Sequence, residues 1–168
     1  ADRALTGSSD RSLRLWDVSS GEQLQEMHGH EGSVGCIAMD WEARRAISGD
    51  NSWTVRFWDL ERGECLWLLR GHASPVGCVF LDWTSRRALS GSLFGSLRVW
   101  DLEQGQCVQD LKGHTFDVGC VSVDWASQRV ITGGEDCLLR VWDLDTGLPV
   151  SVLKGHTSGV GCAVVRWR

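Results

Sequence analysis

Two dipeptides recur at one fixed interval, and that interval constrains the fold more than any other feature of the chain. Trp-Asp stands at Trp16-Asp17, Trp58-Asp59, Trp100-Asp101 and Trp142-Asp143; Gly-His stands at Gly29-His30, Gly71-His72, Gly113-His114 and Gly155-His156, each series stepping by 42 residues. The 168 residues therefore divide into four units, 1–42, 43–84, 85–126 and 127–168, read together as one domain, 1–168. A period of this size marks an array whose units bury their apolar faces only against one another. Twelve of the 42 positions are identical in all four copies, in the first copy Arg3, Gly7, Arg14, Trp16, Asp17, Gly21, Gly29, His30, Val34, Gly35, Cys36 and Trp41. The remaining positions vary but keep their polarity, as in an amplified repeat whose copies have diverged.

Within a unit the pattern predicts four short strands. In the first, Arg3 to Gly7 leads into a turn at Ser8-Ser9-Asp10-Arg11, and Ser12 to Asp17 alternates as a strand does through Leu13, Arg14, Leu15 and Trp16. Ser19-Ser20-Gly21 is a turn, Gln23 to Met27 a third strand, and Val34 to Met39 a fourth beyond the Gly29-His30 loop.

Four strands per unit with Gly-His and Trp-Asp landmarks resemble the WD-repeat family, and the resemblance covers the whole chain. It implies an all-β fold, a β-propeller with four four-stranded blades per chain. In that family the innermost strand of a blade follows the Gly-His loop. The chain then begins at the second strand of one blade and ends after an innermost strand, Val160 to Val165, with three complete blades between. The last strand is thus expected to complete the sheet begun by the first three, an interleaved closure that removes exposed edges.

The resemblance also implies a buried hydrogen-bond relay in each blade, running from the loop His through a Ser or Thr to the Trp indole, with an Asp in the intervening turn. Carried onto this sequence, His114, Thr132, Asp136 and Trp142 form one complete set, and His156, Thr6, Asp10 and Trp16 another, drawn from opposite ends of the chain. The second blade has His30, Ser48 and Trp58 but Ser52 at the acidic position; the third has His72, Ser90 and Trp100 but Phe94 there, which is expected to break the relay. His, Asp and Ser or Thr also invite a catalytic-triad reading. A nucleophile must be exposed beside an oxyanion site, whereas these groups recur in every blade and end on a Trp, so no enzyme is expected.

Seven Cys follow the repeat rather than any Cys-x-x-Cys spacing, which argues against a disulfide framework and for thiols in a reducing, cytoplasmic compartment. Cys36, Cys78, Cys120 and Cys162 sit in Val-Gly-Cys on the innermost strands. They are read as small hydrophobes rather than a metal site, with the preceding glycine allowing close blade packing; no metal and no cofactor is expected. Arg14, Arg56, Arg98 and Arg140 are expected to pair between blades with Asp40, Asp82 or Asp124, although Arg166 replaces that Asp in the last copy. The net charge is −5, which speaks against nucleic acid or an anionic membrane as partner, and no apolar run is long enough to span a bilayer.

Four blades leave a question of closure. A seven-bladed ring turns about 51° per blade, an eight-bladed ring about 45° and a four-bladed ring about 90°. WD-shaped blades are closest to eight, so the expected partner is the chain itself, in a homodimer forming one eight-bladed ring. A peptide or protein partner is expected on the Gly-His loop face, where Trp53, Leu93, Phe94 and Phe116 replace polar residues. The function implied is a non-catalytic interaction scaffold; the alternative is a designed, reconstructed or excised repeat array with no evolved partner.

Overall fold

The structure, a computed structural model, describes residues 2–166. Among the described residues, fifteen strands form four antiparallel meanders. The first sheet holds β1 (Arg3–Gly7), β2 (Leu13–Asp17) and β3 (Gln23–Met27); the second β4 (Val34–Asp40), β5 (Arg45–Asp50), β6 (Val55–Asp59) and β7 (Glu64–Leu69). The third holds β8 (Val76–Asp82), β9 (Arg87–Ser92), β10 (Leu97–Asp101) and β11 (Gln106–Leu111), and the fourth β12 (Val118–Asp124), β13 (Arg129–Gly134), β14 (Leu138–Asp143) and β15 (Pro149–Lys154). No helix of the described residues is long and apolar enough to cross a membrane.

The alternation of residue types sets both faces of each blade. Val55 and Phe57 are buried on β6, while Trp58 and Asp59 follow a register shift between Phe57 and Trp58. The same shift precedes Trp16, Trp100 and Trp142, so each indole is re-aimed by a bulge against the outer strand. The apolar core lies between blades rather than inside any one of them. Leu13 and Met27 of the first blade meet Ala46, Trp58 and Leu60 of the second. Val55, Phe57 and Leu69 then meet Ala88, Trp100 and Leu102, and Leu97, Val99 and Leu111 meet Val130, Trp142 and Leu144.

One expectation is extended and one is corrected. The glycine before each inner Cys is the extra residue of a β-bulge, between Val34 and Cys36, Val76 and Cys78, and Val118 and Cys120. It also allows a close approach at Gly119, where a Cβ would fall 2.8 Å from Val160 O, and the glycine near the end of the second strand adds a second close approach. A Cβ on Gly49 would fall 2.7 Å from Val76 Cβ of the next blade, and one on Gly91 3.3 Å from Val118 Cβ of the next. The correction concerns closure: the first sheet has three strands, and residues 160–165 form no strand and are not paired with β1. They lie instead beside the fourth blade, where Val160 N–H donates to Gly134 O at 3.0 Å, just as Val34 N–H donates to Ser8 O.

Candidate functional site

The relay is built where β5, β9 and β13 pass between the Gly-His loop and the Trp-bearing strand. In the second blade the Trp58 indole N–H donates to Ser48 Oγ at 2.8 Å, Ser48 Oγ lies 2.6 Å from His30 Nε2, and His30 Nδ1 lies 2.7 Å from Asp50 Oδ2. The directions interlock. The Asp50 carboxylate can only accept, so the ring proton sits on Nδ1; the neutral Nε2 then accepts the Ser48 hydroxyl proton, while the hydroxyl oxygen accepts from the indole. Asp50 also accepts from the backbone N–H groups of Ser52 and Thr54 and from the Thr54 hydroxyl. The acidic partner is thus Asp50, not the residue at the position of Ser52, and this blade's relay is complete.

In the fourth blade the Trp142 indole donates to Thr132 Oγ1 at 2.8 Å, Thr132 Oγ1 lies 2.7 Å from His114 Nε2, and His114 Nδ1 lies 3.0 Å from Asp136. Arg140 Nη1, 3.0 Å from the same ring nitrogen, donates to Asp136 Oδ2 at 2.6 Å. The third blade repeats the Trp100, Ser90 and His72 geometry at 2.7 and 2.6 Å without a carboxylate; Ser96 Oγ stands 3.2 Å from His72 Nδ1. Phe94 neither fills the vacated space nor completes the chain of bonds. In the first blade the Trp16 indole donates to Thr6 Oγ1 at 2.8 Å and Asp10 accepts from the Ser12 hydroxyl. His156 is exposed and hydrogen-bonds to neither. Thr6 is correspondingly exposed, whereas Ser48, Ser90 and Thr132 are fully buried.

Burial dominates the protonation of these rings. It lowers the pKa of His30 and His114 against the pull of Asp50 and Asp136. His72 has no such carboxylate, and burial together with the Arg98 charge pushes it down to about 4. Burial of Asp50 opposes its ionisation, but hydrogen bonds from Thr54 and His30 outweigh that and hold the carboxyl below its ordinary value. The result is a neutral imidazole clamped between a hydroxyl and a carboxylate, all inaccessible. Such a group orients strands; it offers no exposed nucleophile.

The repeated arginines do not bridge blades through Asp40, Asp82 or Asp124. Arg14 pairs with Glu26 at 2.9 Å and Asp10 at 3.3 Å, Arg98 with Asp110 at 3.8 Å, Arg140 with Asp136, and Arg56 donates to Gly29 O. The three aspartates instead accept turn N–H groups from Ala43, Thr84 and Ala126. All seven cysteines are free thiols. Burial raises Cys36 to about 12 and Cys78 to about 11, which suppresses the thiolate that metal binding or nucleophilic attack would need.

On the Gly-His loop face, Phe94 is 74% exposed, Phe116 59% and Trp53 50%, while Leu93 is half-buried. Leu93–Gly95 forms a 3-10 turn with Phe94 in the left-handed region, φ 67°. Leu93 N–H donates to Pro75 O at 2.9 Å, and Phe94 N–H donates to Asp117 Oδ1 at 3.1 Å, tying this turn to the neighbouring loop of Phe116. Asp50 and Ser96 are the two relay partners the sequence reading missed. Each was visible only as a polar residue two positions to either side of the expected site.

The matching blades have counterparts elsewhere. A family model described as "WD domain, G-beta repeat" matches residues 21–59, 63–101 and 105–143. The WD repeat-containing protein pop1 of Schizosaccharomyces pombe is 44% identical over 36 residues, 21% of this chain and 5% of that protein. Eukaryotic translation initiation factor 3 subunit I of Drosophila virilis is 37% identical over 44 residues, 26% of this chain and 14% of that one. Dynein assembly factor with WD repeat domains 1 of Homo sapiens is 47% identical over 36 residues, 21% of this chain and 9% of that one. The chain thus aligns with only a small part of each relative, about one repeat in length. The three family matches, together covering more than half of the sequence and falling on its successive blades, show that the chain belongs to the WD-repeat family.

Proposed function

We propose that this chain is a non-catalytic protein-interaction scaffold that first pairs with a copy of itself, two chains joining end to end as one eight-bladed ring and presenting the Gly-His loop face to a further partner. One observation carries the pairing. Met27, Leu69 and Leu111 occupy the same repeat position on the trailing face of a blade and are each 1% exposed or less, whereas Leu153 at that position in the last blade is 46% exposed. The leading face mirrors this: Leu60, Leu102 and Leu144 are buried, whereas Val18 is 58% exposed. The two open faces are the two halves of the junction that packs three times inside the chain. Covering such a side chain is worth about 1.5–3 kcal/mol.

Residues 160–165 occupy the innermost-strand seat beside the fourth blade with no second strand to pair with. β1 offers the missing second strand, with an unpaired edge. A second copy supplies each to the other, and brings its His156 toward Thr6, Asp10 and Trp16. Seven free thiols favour a reducing, cytoplasmic setting. Light scattering on a folded sample tests the pairing. Twice 18.6 kDa is expected, and a mass of 18.6 kDa overturns it.

The second reading, a designed, reconstructed or excised repeat array, is favoured by Arg166. The first three inner strands end in an Asp directly opposite Arg45, Arg87 or Arg129, but the fourth ends in Arg166. A ring closed on that strand would set Arg166 against Arg3. In the second reading, a polypeptide carrying further repeats would cover both end faces itself.

A further inference from the structure

We propose that the cavity between the first and second blades, at the blade ends opposite the Gly-His loops, binds a small neutral aromatic molecule of one or two fused rings. Leu15 and Leu60 form its buried floor, and the half-exposed Trp41 indole is the surface on which such a ring stacks. Its lining residues all belong to one chain and none lies on the Gly-His loop face, so the site depends neither on pairing nor on a partner at those loops.

The three junctions inside the chain differ at this place, and the difference leaves the space. At the second junction Phe57 stacks on Trp83, with ring centres 5.7 Å apart and planes inclined by 24°, and the Trp67 indole N–H crosses to donate to Leu102 O at 3.0 Å. Arg86 and Arg45 cover the Trp83 ring, 3.9 and 5.5 Å from its centre. At the third junction Val99 and Trp125 pack in one cluster, and Arg87 reaches across to donate to Gln128 Oε1 at 3.1 Å. The first junction has Leu15 in place of Phe57 and Gln25 in place of Trp67, and Arg44 is drawn away to Glu61 at 2.8 Å. Among the described residues no ring stacks on Trp41 and no cation lies over it. Trp41 is 47% exposed beside a cavity of about 810 Å³, a size within the usual span of small-molecule sites.

The lining decides the ligand class. Leu15, Leu24, Leu60 and Trp41 offer apolar and aromatic surface, and the second junction shows what such a place takes, a phenyl ring set against an indole. The rim sets Arg3 and Arg44 against Asp2 and Glu61 and so carries no net charge. An ionised ligand would lose hydration on reaching the leucine floor with no field of one sign to replace it, whereas a neutral ring loses little.

The test is isothermal titration calorimetry of indole into the full chain, where saturable binding of one indole per chain is expected. Leu15→Phe with Gln25→Trp rebuilds the second junction's filling in the first, and should weaken indole by about tenfold or more with the circular dichroism unchanged. Trp41→Ala, at a half-exposed turn position, should weaken it about tenfold by removing the stacking surface. The two variants act independently, so either one decides if the other fails to fold. Benzoate and benzylamine, which add one charge to a single ring, should bind about tenfold more weakly than indole. No saturable heat with indole, or binding indifferent to the variants, would overturn the site. Tighter binding of benzoate or benzylamine would overturn the neutral class. Binding of N-acetyltryptophanamide without binding of indole would overturn the small-molecule assignment in favour of a peptide side chain.

Discussion

Asp50 Oδ2 lies 2.7 Å from His30 Nδ1, and both side chains are wholly removed from solvent. The carboxylate enters the turn two residues before the position that Asp136 uses for His114, yet it reaches the same ring nitrogen. One function is thus met from two places in a five-residue turn. Asp50 does so while also accepting two backbone N–H groups and the Thr54 hydroxyl.

Asp50→Ala should therefore be among the most destabilising substitutions in the second blade, costing about 3 kcal/mol because it strands a buried imidazole N–H and two turn amides. Ser52→Ala, at the position where the repeat pattern would have put the acid, should change stability by less than about 0.5 kcal/mol. Urea denaturation of the two variants compares them directly. Equal losses would remove Asp50 from the relay.

His72 makes the third blade a source of acid sensitivity. Its folded pKa of about 4 lies below the unfolded value of about 6.5. Between these values the unfolded chain holds a proton that the native ring refuses, so stability is intact above pH 6.5 and falls as pH drops toward 4. The contribution lost over that window is about 3 kcal/mol. His30 and His114 are lowered in the same sense and add to the slope. His72→Gln should flatten the fall in urea midpoint between pH 6.5 and 4.5, and an NMR titration should find the His72 ring neutral at pH 5. A ring already charged at pH 5 would refute the assignment.

Much of this was open to sequence reasoning, for identifiable reasons. The 42-residue step and the alternation through Leu13, Arg14, Leu15 and Trp16 determine blade boundaries, because only one register buries Trp58, Trp100 and Trp142 between sheets. The arginine partners were misread although the information was present. Arg14 lies directly opposite Glu26, and Arg98 opposite Asp110, on the adjacent outer strand. The aspartates chosen instead are held by turn amides. Asp50 escaped notice because a turn's backbone path, not its spacing, decides which carboxylate points inward. The outward ring of Phe94 likewise depends on a left-handed residue that no pattern of polarity announces. Closure was beyond reach for a different reason: the same two strands complete the first sheet whether they belong to one chain or two.

Leu111 and Leu153 separate blade packing from assembly. Leu111 is fully buried against the fourth blade, so Leu111→Ala should cost about 2–5 kcal/mol in any assembly state. Leu153 is half in solvent in the single chain, so Leu153→Asp should leave it folded while abolishing the pairing. Sedimentation velocity together with far-ultraviolet circular dichroism reads both. A folded Leu153→Asp protein that keeps the dimer mass would show that this face is not the junction.

Arg166 offers the opposite kind of variant, one that should tighten the assembly. On the inner strands Asp40 stands across from Arg45, Asp82 from Arg87 and Asp124 from Arg129. The same register, applied between a terminal strand and a partner's β1, sets Arg166 across from Arg3. Like charges directly opposed on a sheet are unfavourable, and an opposite pair contributes about 0.2–1 kcal/mol. Arg3 already faces Asp17 on its other side, which keeps the penalty at the low end. Two closures per ring count the change twice, so Arg166→Asp should tighten dimerisation by roughly tenfold. Salt gives an independent signature. Screening relieves the repulsion, so the unmodified chain should pair more tightly as ionic strength rises, and the Arg166→Asp chain should not. Dissociation constants from sedimentation equilibrium at low and high salt measure both effects. If the substitution leaves them unchanged, the terminal strand does not pair with β1 in this register, and the ring would have to close some other way.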